Sequence, residues 1–446
     1  MNKLLWRDGW LLSVCVGRIF TYANFMVYAA CLPILREKWT MSATRAGTVA
    51  SGYLVGYTVS LVASSWFAER FGPRRVFVLS AIASALTATA FGFFARDYAS
   101  GLTLYTLAAL TQGGNYTPAV MLMAERYRPE NRGSAVGWLI ASTSVGYAFS
   151  LAVSGSLLAW GGYSLAFIGT GLLPGLGAVI LWAALRRVPN TVHERKVEMK
   201  LAAVLRKDAN AWRLVAGYTW HCWELLGMWA WAPAFLAASL VLSGAPSVQA
   251  AESASYLTAA MHIVGAFASS SMGHLSDVLG RRTVLLALAA AGAMLSLTLG
   301  WLVSWPVPIL MGLVLIYGFV AIGDSPVLST ALTETVAPGY LGSALAMRSL
   351  LGFGAGAISP TAFGLVLDLA SRSENAAAAV WDRHSWSLRL AGLGPLGMLG
   401  ASALARQCNR RQRRVQAPPH RCLPPPGIHE GALLTASQQT SRLVTD

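Results

Sequence analysis

The residues of this chain that could do chemistry are a small set of ionisable side chains inside long apolar segments. The densest stretch, residues 218–231, reads YTWHCWELLGMWAW and contains Tyr218, His221, Glu224 and Trp231. His221 and Glu224 are three positions apart, so on a helix they share a face. A histidine beside a carboxylate in a low-dielectric setting can exchange a proton near neutral pH. The aromatic rings around them predict a site with flat apolar walls and a few hydrogen-bond donors.

Three further ionisable side chains, Arg18, His262 and Asp324, also lie inside apolar segments. A charged group costs about 2.5 to 3.5 kcal/mol at the centre of a membrane helix on insertion scales, so we expect such residues to have a function. A buried guanidinium most readily binds a carboxylate, which favours an anionic ligand at Arg18 unless Glu224 pairs with it instead. We interpret His262, alone on its helix, as a hydrogen-bonded packing residue. The predicted substrate and proton cavity contains Arg18, Tyr218, His221, Glu224, Trp231 and Asp324.

Long apolar helices are the elements that must position these side chains. The chain is 55% hydrophobic and 12% charged, against about 25% charged in soluble domains, so one aqueous core cannot bury its apolar surface. Lipid offers no partner for unpaired backbone groups, and the long unbroken runs lack the alternation of barrel strands, so we expect helices. Twelve such runs, called spans 1 to 12 below, lie at 10–33, 43–66, 74–94, 100–124, 134–158, 163–185, 214–238, 253–275, 283–303, 307–331, 341–367 and 386–405.

The sequence also repeats itself at one fixed distance. SWFAERFGPRR is followed 208 positions later by GHLSDVLGRR. A second motif is also repeated. PENRGSA follows Glu125 and PGYLGSA follows Glu334, and both the motifs and the glutamates are 209 positions apart. Two unrelated motifs at nearly the same separation indicate a duplicated unit, and each copy contains six spans.

The distribution of arginine and lysine predicts the orientation and the domain organisation. The loops after spans 2, 4, 6 and 8 carry most of the cations, so both termini are expected in the cytoplasm, with the spans in the inner or plasma membrane. The formal net charge of +15 is then that of loops facing anionic lipid and needs no nucleic acid. The predicted parts are a first half at 1–186, a cytoplasmic linker at 187–213, a second half at 214–405 and a disordered basic tail at 406–446.

The doubled loop carries a family resemblance. Twelve spans in two sixfold halves, with a loop of the type G-x-L-x-D-R-x-G-R-R after spans 2 and 8, resemble the major facilitator superfamily of secondary transporters over about residues 8–405. The first copy departs from this pattern at Ser65, Glu69 and Pro73. Proton-linked drug exporters of the family carry an arginine in span 4 and a Gly-Pro motif in span 5. Here span 4 reads AALTQGG and Gly146 is followed by tyrosine, so a drug-antiporter role is only weakly implied.

The resemblance implies a gating role for the loop residues and a pseudo-twofold axis along the membrane normal between the halves. A carboxylate at the end of a span, next to a glycine turn and paired arginines, can pair with cations across the cytoplasmic mouth while that mouth is closed. The alternative is that the arginines only fix the topology. The predicted gating residues are Glu69, Gly72, Arg74, Asp277, Gly280, Arg281 and Arg282.

These observations predict an all-α membrane protein of twelve transmembrane helices, not an enzyme, that transports a small organic solute by alternating access. Proton coupling is expected at Glu224 with His221, and Arg18 is expected to pair with Glu224 until an anionic substrate competes for it. The alternatives are an uncoupled exchanger, a multidrug-type exporter of the same fold and, from another class, a transporter-like membrane sensor. We expect a monomer surrounded by lipid. We expect no metal, cofactor or nucleic acid, because the sequence has no phosphate-binding loop, metal-ligand cluster or RNA-binding motif.

Overall fold

All regular structure in the described part of the chain is helical. The computed structural model describes residues 8–190, 192, 209–336 and 341–372, which belong to one unit, Met1–Arg406. Short 3-10 helices lie at Gly113–Asn115 and Leu299–Leu302. The helices are α1 (Gly9–Thr21), α2 (Val27–Lys38), α3 (Ala43–Phe71), α4 (Pro73–Phe94), α5 (Tyr98–Gln112), α6 (Thr117–Arg126), α7 (Pro129–Leu185), α8 (Ala209–Leu242), α9 (Ser247–Leu279), α10 (Arg281–Thr298), α11 (Val307–Thr335) and α12 (Leu341–Arg372).

Side-chain caps fix where some of these helices begin. The Asp8 carboxylate accepts hydrogen bonds from the backbone N–H groups of Trp10 at 3.0 Å and Leu11 at 3.3 Å, at the start of α1. Asp97 and Ser100 form a capping box at the start of α5. The first turn of a helix has N–H groups without helical acceptors, so these caps define the loops from which α1 and α5 begin.

The two copies of the loop motif fold into the same turn. Gly72, between α3 and α4, has φ 85° and ψ 143°, and Gly280, between α9 and α10, has φ 86° and ψ 139°. A side chain strongly disfavours this backbone region, so the turn requires glycine. Equivalent positions of the repeat therefore share one backbone geometry. We call the end of the helices where these two glycines lie the motif end, and the other end the opposite end.

Seven helical ranges of the described residues are long and apolar enough to cross a membrane. They cover eight of the predicted spans, 2, 3, 5 to 7 and 9 to 11. One range covers two spans, because spans 5 and 6 are joined in α7, whose helix is interrupted at Gly161 and Gly162. α9 has the length of span 8 but is not among the seven ranges. Span 12, the tail and most of the predicted linker lie outside the described residues. The multi-pass helical fold is confirmed, whereas twelve membrane-crossing helices and cytoplasmic termini stay predictions.

Spans 1 and 4 are both broken near their middle. α1 gives way to α2 over residues 22–26, and α5 gives way to α6 over residues 113–116. Such breaks free backbone groups that need partners inside a membrane. Gln112 supplies one, because its Nε2 donates to the Thr21 carbonyl at 2.8 Å, while Ser84 Oγ donates to Gln112 Oε1 at 2.5 Å. A buried polar network therefore holds both breaks together inside the first half, helices α1 to α7.

The second half, helices α8 to α12, packs against the first at the opposite end. α3 and α12 approach so closely that a Cβ atom on Gly364 would lie 2.1 Å from the Ala43 carbonyl oxygen. Four residues further along α12, the Asp368 carboxylate accepts hydrogen bonds from the backbone N–H groups of Ala43 and Thr44, both at 2.8 Å. Thr44 Oγ1 also donates to it at 2.6 Å. A carboxylate of the second half thus caps the N-terminus of a helix of the first half.

Candidate functional site

A central cavity lies between the two halves. Its volume is about 420 Å³, within the range of small-molecule sites. Among the described residues that line it there is no aspartate or glutamate, whereas His221 and Arg348 line it. Eight of its lining residues are aromatic: Tyr22, Phe25, Tyr57, Tyr116, Tyr147, Tyr218, Trp229 and Phe353. The cavity is therefore basic and suited to a flat ligand.

The cavity extends toward the motif end and is closed at the opposite end. Leu61, in the last part of α3, and Leu345, near the start of α12, both line it, and both lie on the motif side of their helices. Further along α12, Thr361 Oγ1 donates to Ser51 Oγ of α3 at 2.8 Å. Together with the Gly364 and Asp368 contacts, this hydrogen bond closes the opposite end between α3 and α12.

Arg18 lies behind the cavity wall that Tyr22, Tyr116 and Thr143 form, and it is 0% exposed. Its Nε and Nη2 donate to Thr143 Oγ1 at 3.1 and 2.9 Å, and its Cζ lies 5.0 and 5.3 Å from the ring centres of Tyr22 and Tyr116. Its Nη1 has no hydrogen-bond partner. Within the described residues no carboxylate pairs with Arg18, and the predicted pair with Glu224 is not formed in this conformation. An uncompensated buried charge is costly, and an anionic ligand would relieve it.

His221 lines the cavity and contacts Asp324 of α11 behind it. His221 Nδ1 and Asp324 Oδ1 are 2.7 Å apart, an ion-pair distance, although the two atoms are not aligned for a hydrogen bond. Both residues are 1% exposed. The helical spacing predicted Glu224 as the neighbour of His221, but the structure brings an acid from another helix to the imidazole. This contact joins two of the predicted cavity residues.

The other predicted cavity residues are placed in three different surroundings. Glu224 is buried in the core of the second half, where its Oε1 accepts a hydrogen bond from Tyr317 OH at 2.8 Å. Tyr218 lines the central cavity as predicted. Trp231 instead lines a separate hollow, and its Nε1 donates to the Pro360 carbonyl at 3.1 Å. Glu224 is therefore one layer behind the cavity, and Trp231 is away from it.

Arg348, near the start of α12, is a cavity residue outside the predicted set. Its Nη1 donates to Ser329 Oγ at 2.6 Å, and its Cζ lies 4.1 Å from the centre of the Tyr218 ring. The rule that drew attention to Arg18, a charge inside an apolar span, also applies to Arg348, seven residues after the start of predicted span 11. Because it lies near the end of that span, its position in the sequence does not distinguish it from a cation that only fixes topology.

The second copy of the loop motif forms an ion-pair network within the second half. Arg281 Nη2 lies 2.5 Å from Asp277 Oδ1 and 2.9 Å from Glu334 Oε1, linking α9, α10 and α11. Both carboxylates are more than half exposed, at 56% and 54%, so each pair contributes little stability by itself. Arg282 is exposed and Glu69, the counterpart of Asp277, is half-buried. These contacts stay within one half and do not cross the open mouth.

The first copy of the motif holds its turn by other means. Pro73 occupies the position of the first arginine in the second copy, so the same network cannot form. Asn190 bridges the turn instead, because its Nδ2 donates to the Phe71 carbonyl at 2.7 Å and its Oδ1 accepts from the Arg75 N–H at 3.3 Å. Arg74 Nη1 donates to the backbone carbonyl of residue 188 at 3.0 Å. The segment after α7 therefore stabilises the loop between α3 and α4.

The sequence matches the family model of the Major Facilitator Superfamily over residues 14–360. The chain belongs to this superfamily. It is 25% identical over 350 residues to a probable 4-methylmuconolactone transporter of Cupriavidus pinatubonensis, covering 75% of this chain and 76% of that protein. It is also 25% identical over 363 residues to a cis,cis-muconate transport protein of Acinetobacter baylyi, covering 77% and 84%. The crystal structure of a bacterial homolog of the human lysosomal transporter Spinster has the same fold, with a TM-score of 0.71 at 18% identity, over 92% of this chain and 98% of that one.

Membership of the major facilitator superfamily confirms three predictions made from the sequence. The family resemblance is correct, and the protein is an integral multi-pass membrane protein. It is a transporter of small organic solutes and not an enzyme.

Proposed function

We propose that this major facilitator protein transports a small organic anion, which it binds in the central cavity through Arg18. The observation that carries this proposal is the fully buried guanidinium, which has no carboxylate partner among the described residues and one nitrogen without a hydrogen-bond acceptor there. A carboxylate or sulfonate can accept two parallel hydrogen bonds from a guanidinium, so it supplies what Arg18 lacks. The three residues that separate Arg18 from the cavity, Tyr22, Tyr116 and Thr143, have hydroxyl groups that can reorient toward an entering anion.

The names of the two relatives support an organic acid as the solute. They refer to 4-methylmuconolactone and to cis,cis-muconate. The aromatic wall of the cavity gives a planar, unsaturated acid a flat surface to stack on. An unsaturated organic acid is therefore the solute class to test first.

We propose that transport proceeds by alternating access. The asymmetry of the cavity supports this, because it extends toward the motif end while α3 and α12 are in contact at the opposite end. That contact joins the halves through surface groups of two intact helices, so the halves can separate there without unfolding either helix. Arginines cluster at the motif end, at Arg70, Arg74, Arg126 and Arg281, which favours the cytoplasmic side of an inner or plasma membrane for that end.

We also propose that protons are the coupled ion. His221 faces the cavity and lies 2.7 Å from Asp324, while Glu224 is hydrogen-bonded to Tyr317 in the same half. Buried carboxylates and histidines in membrane spans are the groups that relay protons in transporters. His221 connects the buried acid to the cavity, so it gives a proton a path between Asp324 and the water in the cavity. Glu224 is the second candidate carrier.

Transport into proteoliposomes tests the proposal. The exchange of labelled for unlabelled cis,cis-muconate and its uphill uptake under a pH gradient are measured for wild type and variants. Arg18→Gln should lose both activities, whereas Asp324→Asn or Glu224→Gln should lose uphill uptake and keep exchange. Arg96→Gln removes an exposed loop arginine and is the matched control for loss of charge. Exchange that persists in Arg18→Gln would contradict the anion site, and uphill uptake that persists in both acid variants would contradict proton coupling.

A further inference from the structure

The cavity contains a second cationic side chain whose partners do not neutralise it. Arg348 projects from the second half into the cavity, with Ser329 Oγ at 2.6 Å and the face of Tyr218 as its contacts. Its Nε is buried and has no hydrogen-bond acceptor. Within the described residues no carboxylate lies at ion-pair distance from it. The face of the tyrosine ring attracts this charge electrostatically without neutralising it, so donors remain for an anion.

The two arginines belong to opposite walls of one cavity. Arg18 stands behind the wall of the first half, next to Tyr116, and Arg348 stands on the wall of the second half, next to Tyr218. Both have a buried nitrogen without an acceptor. The buried acid nearest the cavity wall is already used, because Asp324 is in contact with His221. The cavity thus offers two separate places for negative charge. Among the described residues that line it, no carboxylate occupies either place.

A ligand with one charge leaves one of these places empty. Because a desolvated cation without a counter-charge is unfavourable, a monoanion gains from one arginine while the other stays uncompensated. A planar molecule with an acid group at each end can satisfy both arginines while its body stacks between the aromatic walls. Such a molecule would also bridge the two halves, which gives it a different affinity for each arrangement of those halves.

We propose that Arg348 binds a second acid group, so that the cavity selects dianions over monoanions of the same shape. This rests on the proposed function, because Arg18 is taken as the site of the first acid group. Arg18 then makes the cavity prefer anions over uncharged molecules, and Arg348 makes it prefer anions with two charges over anions with one. The two roles are separable by mutation.

Calorimetric binding to the purified full-length protein tests this with a matched pair of probes, cis,cis-muconate and its monomethyl ester. The two differ by one charge on one carbon skeleton. Wild type should bind the diacid about 10- to 150-fold more tightly, the range of one hydrogen bond to a charged group. Arg348→Gln should reduce this ratio to about one while leaving the affinity for the ester within about threefold, since the ester does not use that side chain.

Three further variants make the result specific. Arg348→Lys keeps the charge without the planar fork, so it should retain part of the preference for the diacid. Arg18→Gln should weaken both probes, and Arg96→Gln, on an exposed loop, should change neither. Equal binding of diacid and ester by wild type, with both lost in Arg18→Gln, would overturn the role of Arg348 and leave the anion transporter standing. A ratio that survives in Arg348→Gln would overturn it as well, and binding of neither probe would contradict both proposals.

Discussion

Gly364→Ala is expected to shift the transporter away from the conformation seen here. The new Cβ atom would lie 2.1 Å from the Ala43 carbonyl oxygen, while ordinary contact begins at 3.4 Å, so α3 and α12 must separate by about 1.3 Å at the opposite end. Adding one methyl group to a contact this tight costs about 1 to 3 kcal/mol. If the alternate conformation has these helices apart, the cost falls on the present conformation alone. The ratio of the alternate conformation to the present one should then rise about 5- to 150-fold.

A nanodisc leaves both faces of the membrane accessible to a labelling reagent. Cysteine labelling of the protein in nanodiscs therefore measures this shift. One reporter is Ser349→Cys, which lines the cavity toward the motif end, and the other is Thr361→Cys, which lies in the closed contact. The background lacks the five native cysteines. Gly364→Ala should slow labelling at the first reporter and speed it at the second. Where labelling is slower than the conformational exchange, each rate is proportional to the population of the conformation that exposes that reporter.

Gly354→Ala is the matched control on the same helix. A Cβ atom at Gly354 would meet no atom within 4 Å, so this substitution carries the same gain in helix propensity without the steric cost. It should leave both labelling rates at their wild-type values. The reasoning fails if Gly364→Ala folds and labels like wild type, or if Gly354→Ala produces the same change.

Three other predictions concern the turns and the closed contact. Gly280→Ala should lower stability by about 1 to 3 kcal/mol through backbone strain alone, because its Cβ would meet no atom within 4 Å; an unchanged melting temperature in detergent would contradict the positive φ. Asn190→Ala removes both hydrogen bonds that bridge the first motif turn and should cost about 1 to 3 kcal/mol in the same assay, whereas a neutral effect would show that the turn is held by other groups. Asp368→Asn removes the charge that caps α3 and should speed labelling at Thr361→Cys, in the same direction as Gly364→Ala; slower labelling would rule out its role in closure.

Features set by local chemistry could be predicted from the sequence. The offset of 208 positions between the motif copies implied equivalent turns, and Gly72 and Gly280 do have the same backbone angles. A positive-φ turn between two helices depends on one glycine and its immediate neighbours, so the pattern was sufficient. The departure at Pro73 was also visible in the sequence, and the structure shows its consequence, because Arg281 has partners that a proline cannot have.

Features that depend on contacts between helices could not be predicted in the same way. The spacing of His221 and Glu224 specified one face of α8 but not the helix that meets this face, and α11 supplies Asp324 there. Pro118 and Pro326, which are also 208 positions apart, behave differently for the same reason. Pro118 lies in the first turn of α6 just after a break, whereas Pro326 lies within the continuous helix α11. A helix can break in a membrane only where neighbours satisfy the freed backbone groups, and the sequence does not say where they are.

Charges near the ends of spans were the least predictable. Arg348 and Asp368 both lie on α12, close to its two ends, where a cation or a carboxylate can simply face water. In the structure one lines the cavity and the other caps α3 across the interface between the halves. Only the packing of α12 against both halves distinguishes these roles from the fixing of topology.

Counterflow in proteoliposomes with three matched solutes tests most directly whether the protein is an organic-anion transporter that uses Arg18. The solutes are cis,cis-muconate, its uncharged dimethyl ester, corrected for passive diffusion with protein-free liposomes, and a quaternary ammonium compound of similar size. The structure predicts saturable exchange of the anion alone, and its loss in Arg18→Gln with Arg96→Gln unaffected. Protein-dependent exchange of the ester or the cation, or anion exchange that Arg18→Gln leaves intact, would contradict the account.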